Sequence, residues 1–182
     1  IAPSGSETFY ITFFPSLTQV STGNVIFTHD ASSSPDSIHL TGAGVQPVFS
    51  ATPSELHFGN VVVGTNKRDS ILVRNTGTGS LHIDSVFTDN DVFTVLPTKA
   101  TIGASRTKRF YISFSPADSG ENMGNITFQH DGEDSPTSFP LDGTGVEPIF
   151  SVSPSSLSFG NVVVGTVKTD SVIVTNTGTS TL

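Results

Sequence analysis

Apolar and polar residues alternate along this chain in short runs. Leu56 and Phe58 alternate, as do Ile71 and Val73, Leu81 and Ile83, Phe110, Ile112 and Phe114, Ile126 and Phe128, and Phe139 and Leu141. A period of two places each set on one face of a strand. Val48–Thr52, Val61–Val63 and Val92–Leu96 read as further strands. Asn75-Thr-Gly77, Asp89-Asn-Asp91, Ser115-Pro116, Asp131-Gly132 and Ser135-Pro136 supply turns between them. About seven short strands in ~100 residues, with turns every 8–12, predict an all-β, immunoglobulin-like β-sandwich. Ile71 and Val73 face inward, which leaves Leu72 and Arg74 facing out. Gly59-Asn60 interrupts the first apolar run. Gly inside a strand pattern predicts a bulge or bend, here one that carries the strand from one sheet to the other before it continues as Val61–Val63.

The pattern recurs. Pro53-Ser-Glu-Leu-His-Phe-Gly-Asn-Val-Val-Val-Gly-Thr65 returns 101 residues later as Pro154-Ser-Ser-Leu-Ser-Phe-Gly-Asn-Val-Val-Val-Gly-Thr166. At the same spacing Phe9-Tyr-Ile-Thr-Phe-Phe-Pro15 matches Phe110-Tyr-Ile-Ser-Phe-Ser-Pro116, and Leu40-Thr-Gly-Ala-Gly-Val45 matches Leu141-Asp-Gly-Thr-Gly-Val146. A period of this length is a whole small domain rather than a solenoid unit of ~20–50 residues. The chain therefore divides into residues 1–46, the C-terminal part of one repeat; 47–147, a complete repeat; and 148–182, the N-terminal part of a third. The partial repeats are expected to be disordered, or to pair with each other or with a neighbouring molecule. Gly42-Ala-Gly44 and Gly143-Thr-Gly145 read as linkers and turns, with Pro47 and Pro148 closing links short enough to hold neighbours close to end-to-end.

Composition narrows the function. Eight Lys and Arg against sixteen Asp and Glu give a formal charge of −8, which disfavours nucleic acid. The basic clusters, Lys67-Arg68 and Arg106-Thr-Lys-Arg109, read as solvated strand edges that block unwanted pairing. There is no cysteine, so disulfides and Cys-based zinc sites are excluded. No apolar run reaches the ~18 residues of a membrane span, so this stretch has no membrane insertion. The chain opens at Ile1 in mid-pattern with no initiator Met and no signal peptide, as expected of a fragment of a longer protein.

Candidate chemistry is sparse. His29 and His130 are one position in two copies, before Asp30 and Asp131, and read as local packing groups. His39, His57 and His82 fall in no ligand spacing, and Ser158 replaces His57 in the next copy. No Gly-x-Ser-x-Gly elbow is present. Asp89-Asn-Asp91 and Asp131-Gly-Glu-Asp134 offer hard oxygen ligands for calcium but match no calcium loop, and they read as solvated turn carboxylates. Asn125-Ile-Thr127 is a formal glycosylation sequon inside a predicted strand, absent from the aligned Asn24-Val-Ile26. The expectation is a protein with no catalytic, cofactor-binding or metal-binding residues, and not an enzyme.

The pattern Pro-x-x-Leu-x-Phe-Gly-x-Val-x-Val-Gly, then Val-x-Asn-Thr-Gly, a strand ending Phe-x-Pro, and a closing Leu-x-Gly-x-Gly resembles the ASPM/SPD-2/Hydin (ASH) family. Its bacterial members include the choice-of-anchor D repeats. The resemblance implies an immunoglobulin-like sandwich akin to major sperm protein and PapD-type folds, arranged as tandem, non-enzymatic modules. It implies a structural spacer in a larger secreted or cell-surface bacterial protein, whose partners are the other repeats of the same chain. Two alternatives follow. One is a protein- or glycan-recognition module, with Leu72, Ile173, Tyr10 and Tyr111 marking a contact face. The other is an intracellular ciliary or cytoskeletal scaffold. The Pro53–Gly77 stretch is explained by folding alone, so the search for function moves to loops that differ between copies: 16–22 against 117–123, and 31–33 against 132–134.

Overall fold

A side-chain period of two leaves one face of each strand apolar, and two such faces can bury each other. In the computed structural model, which describes residues 1–182, this occurs once in full. The strands are β1 (Val20–Phe27), β2 (Asp36–Ala43), β3 (Phe49–Thr52), β4 (Leu56–Val62), β5 (Lys67–Asn75), β6 (Leu81–Thr88), β7 (Phe93–Leu96), β8 (Ala100–Ile102), β9 (Thr107–Phe114), β10 (Gly120–His130), β11 (Thr137–Val146), β12 (Phe150–Ser153) and β13 (Ile173–Asn176). No helix is long and apolar enough to cross a membrane. One sheet has the order β3-β5-β9-β7, and the facing sheet β4-β11-β10-β6-β8. The β4–β11 pair is parallel, and the other pairs in the two sheets are antiparallel. The chain is thus an all-β protein built on an immunoglobulin-like sandwich.

The core follows the alternation. Phe58, Ile71, Val73, Leu81, Phe110, Ile112, Phe114, Ile126 and Phe128 are fully buried. Five of the seventeen core residues are phenylalanine, and their rings pack together: Phe93 and Phe114 stack at 4.9 Å, and Phe110 meets Phe128 edge-on at 5.2 Å. Each such side chain contributes roughly 1.5–3 kcal/mol through burial. That suffices for a domain of this size without a disulfide.

Three expectations are corrected. The crossing between sheets lies at Pro53–Glu55, not at Gly59-Asn60, since β3 and β4 already sit in different sheets. Pro53 has no N–H with which to extend β3. Gly59, at φ +62°, instead forms a bulge within β4, where His57–Asn60 lies opposite Asp142–Thr144. Second, the glycines of Gly143-Thr-Gly145 are strand residues of β11, as Gly42 is of β2. They are small because neighbours are close: a Cβ on Gly143 would lie 2.5 Å from the Phe114 ring, and one on Gly145 would overlap the Asp118 carbonyl oxygen. Lys67, Arg68, Lys108 and Arg109 do lie along open strand edges. They belong to the inner strands β5 and β9, but β3 pairs only with Leu72–Asn75 and β7 only with Tyr111–Phe114, so the other flank of each basic stretch has no strand beside it.

The third correction concerns the ends. Residues 1–46 and 148–182 do not pair with each other; β1–β2 and β12–β13 are separate two-stranded ladders. Phe9, Ile11 and Phe13 are exposed, whereas their counterparts Phe110, Ile112 and Phe114 are buried. The same residues change environment because no second sheet covers them as it covers β9.

Candidate functional site

Asparagine followed by Thr-Gly reads as a turn, yet Asn75 is fully buried. Its side chain uses its whole bonding capacity. Oδ1 accepts from the Val48 N–H (3.2 Å) and the Gly77 N–H (3.0 Å). Nδ2 donates to the Gly79 carbonyl (2.6 Å) and the Ile102 carbonyl (2.9 Å). Asn75 therefore ties its own turn to β8 and to the segment entering the repeat.

That segment is the link between repeats, and the turn holds it along its length. Thr76 N–H donates to the Val48 carbonyl, and Thr78 and Gly79 N–H both donate to the Gln46 carbonyl. The Gln46 N–H donates in return to Thr78 Oγ1. Gly77 has no space for a side chain, because a Cβ there would overlap the Gln46 carbonyl oxygen. The next link has the same construction. Thr177 N–H donates to Ile149 O, Thr179 and Ser180 N–H donate to Glu147 O, Glu147 N–H donates to Thr179 Oγ1, and Ile149 N–H donates to Asn176 Oδ1. A Cβ on Gly178 would overlap the Glu147 carbonyl oxygen. Since β11 runs to Val146, a sheet strand of one repeat passes directly into a link bonded to the next. Sequence reasoning found the linker but not the clamp. The signal was the Asn-Thr-Gly-Thr motif, present in both copies.

The candidate chemical groups lie elsewhere and do not converge. No three His, Asp or Glu side chains are placed to share a metal ion. His39 meets Asn24, and His29 meets Asp36. His82 and Asp131 bond at 2.8 Å. Asp89 accepts from the Asn125 N–H (2.6 Å) and side-chain amide (2.8 Å). Those bonds hold its carboxyl below the usual range, the side-chain bond contributing most. The sequon residue Asn125 is thus engaged within β10. His57 bonds to Asp142 and lies beside Glu55, and both, Asp142 first, raise its pKa. Its stabilising contribution is therefore full below the ordinary value of 6.5 and fades as pH rises through the raised value.

His130 behaves in the opposite sense. It is buried, and its ring stacks on Phe49 at 4.3 Å. Nδ1 accepts from the Gly132 N–H, and Nε2 faces Thr137 Oγ1. This fixes the neutral tautomer with its proton on Nε2. Burial lowers its pKa, outweighing the nearby Asp131 and Asp134 carboxylates. The unfolded chain takes up this proton near 6.5 and the folded one only at lower pH, so stability is lost on acidification below 6.5. Thermal melts between neutral pH and about pH 5 should show a falling midpoint whose slope flattens in His130→Phe. An unchanged slope would exclude His130 as the titrating group.

The sandwich presents two outer faces. On the four-stranded sheet Arg68 lies 4.0 Å over the Tyr111 ring, and Arg109 donates to Ser70. On the five-stranded sheet a groove of about 880 Å³ is lined by Asp89, Asp91, Glu121, Met123 and Asp142 among others.

A family model described as "HYDIN/CFA65/VesB-like, Ig-like domain" matches residues 47–144. The chain is similar to Cilia- and flagella-associated protein 65 of Chlamydomonas reinhardtii, with 27% identity over 130 residues. That match covers 69% of this chain and 6% of the relative, so the chain spans a small fraction of that protein's length. Among solved structures, a protein of unknown function from Porphyromonas gingivalis W83 superposes with a TM-score of 0.50 at 15% identity, over 71% of this chain and 68% of that one. PapD-like domain 7 of human CEP192, an ASH/PapD-like domain, gives a TM-score of 0.46 at 14% identity, over 65% of this chain and 98% of that one. The first likeness concerns the fold alone.

Proposed function

The chain belongs to the HYDIN/CFA65/VesB-like family of Ig-like domains, and we propose that within it the protein is a non-catalytic structural repeat, a stiff spacer in a longer array. One observation carries this reading. Each link is bonded to the turn of the repeat that follows it, by Asn75 and Thr78 at Gln46–Val48 and by Asn176 and Thr179 at Glu147–Ile149. Successive sandwich domains ordinarily move relative to each other unless something holds the junction. Here backbone hydrogen bonds and a glycine too close for any side chain hold it. The orientation of one repeat is thereby passed to the next. Similarity to a cilia- and flagella-associated protein favours an intracellular cytoskeletal scaffold over a secreted or cell-surface array.

Scattering from consecutive repeats tests the stiffness. The maximum dimension should grow in proportion to repeat number. Thr78→Val with Gly77→Ala at one junction should broaden the distance distribution while leaving each sandwich folded. A compact particle, or an unaltered distribution in the junction variant, would overturn the spacer reading.

A further inference from the structure

The charges of the complete repeat are sorted by sheet. Strands β3, β5, β9 and β7 carry Lys67, Arg68, Arg74, Lys108 and Arg109, with Asp69 the one carboxylate. Strands β4, β11, β10, β6 and β8 carry Asp84, Glu121 and Asp142 and no lysine or arginine. Register and burial set the directions. Arg68, Arg74, Arg109 and Tyr111 alternate with the buried Ile71, Val73, Phe110 and Ile112, so they face outward together. Every ion pair in the chain involves a histidine, and none of these arginines meets a carboxylate.

The fold does not require this arrangement. At the aligned positions of the flanking repeats Arg68 is Thr169, Arg74 is Thr175 and Arg109 is Thr8, while Glu121 is Val20 and Asp142 is Thr41. Arg68, Arg74, Arg109, Glu121 and Asp142 thus occur together in one repeat at positions uncharged in its neighbours, while Lys67 recurs as Lys168 and Lys108 is Glu7. Each face also offers apolar surface: Leu96 (67% exposed) and Tyr111 on the basic side, Met123 (72% exposed) and Phe87 on the acidic side. Arginine and tyrosine beside apolar groups is the composition of protein contact surfaces.

We infer that the basic face of this repeat docks on the acidic face of the same repeat in a second copy of the chain. The complementarity is internal to one sequence, which favours a second copy over an unrelated acidic partner. The contact is heterologous, so it does not close on itself and extends from copy to copy side by side. Two strands about 27 Å long and two of four residues, about 13 Å long, at ~4.8 Å spacing offer roughly 400 Å² per partner, at the small end of protein interfaces. A single contact is therefore weak, and arrays of repeats would strengthen it by multiple attachment.

Sedimentation of the 182-residue chain at low and high salt tests this. The wild type should associate at low salt, with an association constant ~10-fold or more lower at high salt. Arg68→Glu/Arg74→Glu leaves three cations and three carboxylates on the basic sheet, which cancels its net charge, and should be monomeric. Asp84→Lys/Glu121→Lys leaves the opposite face basic as well and should also be monomeric. Mixed, the two variants should associate again, which also shows that both are folded. A wild type that stays monomeric, association indifferent to salt and to both reversals, or a mixture that fails to associate would each overturn the proposal. Salt-indifferent association would point instead to the exposed apolar faces of the flanks.

Discussion

Phe114→Ala is expected to lower the unfolding free energy by about 4 kcal/mol, in the range for removing a buried phenylalanine. Phe114 is fully buried and packs against two other rings, Phe58 at 5.6 Å and Phe93 at 4.9 Å. Gly143 closes the other side of its ring and has no atoms with which to fill the space. The cavity would be bounded by both sheets, tied to their own ladders, so it could not collapse cheaply. Chemical denaturation of wild type and variant measures the difference. Phe114→Leu should recover more than half of it, because it restores most of the volume. A loss below about 1.5 kcal/mol for the alanine variant, the level of a tolerated volume-conserving swap, would mean that the site relaxes and the ring cluster is not the centre of the core.

Asn75→Ala should be nearly as costly, at about 3 kcal/mol, although it removes no large apolar group. It strands the N–H groups of Val48 and Gly77 and the carbonyls of Gly79 and Ile102. Each buried group left unpaired costs ~1–3 kcal/mol, and water entering from the turn would recover part of that. Asn75→Asp separates the two halves of the network. A carboxylate keeps both acceptor bonds but cannot donate to Gly79 or Ile102, and it buries a charge. It should be at least as destabilising as alanine. If aspartate instead rescues the alanine loss, the Nδ2 bonds contribute little and the description of the clamp is wrong.

The alternating phenylalanine, isoleucine, leucine and valine residues made the sandwich legible in the sequence. The period of two survives because every one of those strands has a water side and a core side. β8 was missed for the same physical reason. It is three residues long, with only Ala100 and Ile102 turned to the core, so its alternation is too short to detect. The glycines of β11 were misread because glycine marks both tight turns and close approach. Only the position of Phe114 and Asp118 in space separates the two meanings. The sheet crossing was placed at the glycine when the neighbouring proline marks it. Asn75 was legible as a turn residue but not as a buried one, since its partners Val48 and Ile102 are each 27 residues away. The basic clusters were legible as open strand edges, while their place on inner strands only half covered by β3 and β7 depends on sheet order, which a single strand does not encode. Glu121 and Met123, in a stretch read as a loop that differs between copies, are residues of β10 and line the acidic groove.

The parallel pairing of β4 with β11 has a mechanical consequence. The chain enters the repeat at Gln46–Val48, passes through β3 to reach β4, and leaves at the end of β11. Tension that reaches β4 through β3 would pull β4 and β11 in opposite directions along their length. Leu56 faces Leu141 at one end of the pair and Val62 faces Val146 at the other. The rungs between them would be strained together in shear instead of opening one by one like a zipper. Such a repeat yields late and abruptly when stretched, and it would carry force along a filament without first lengthening.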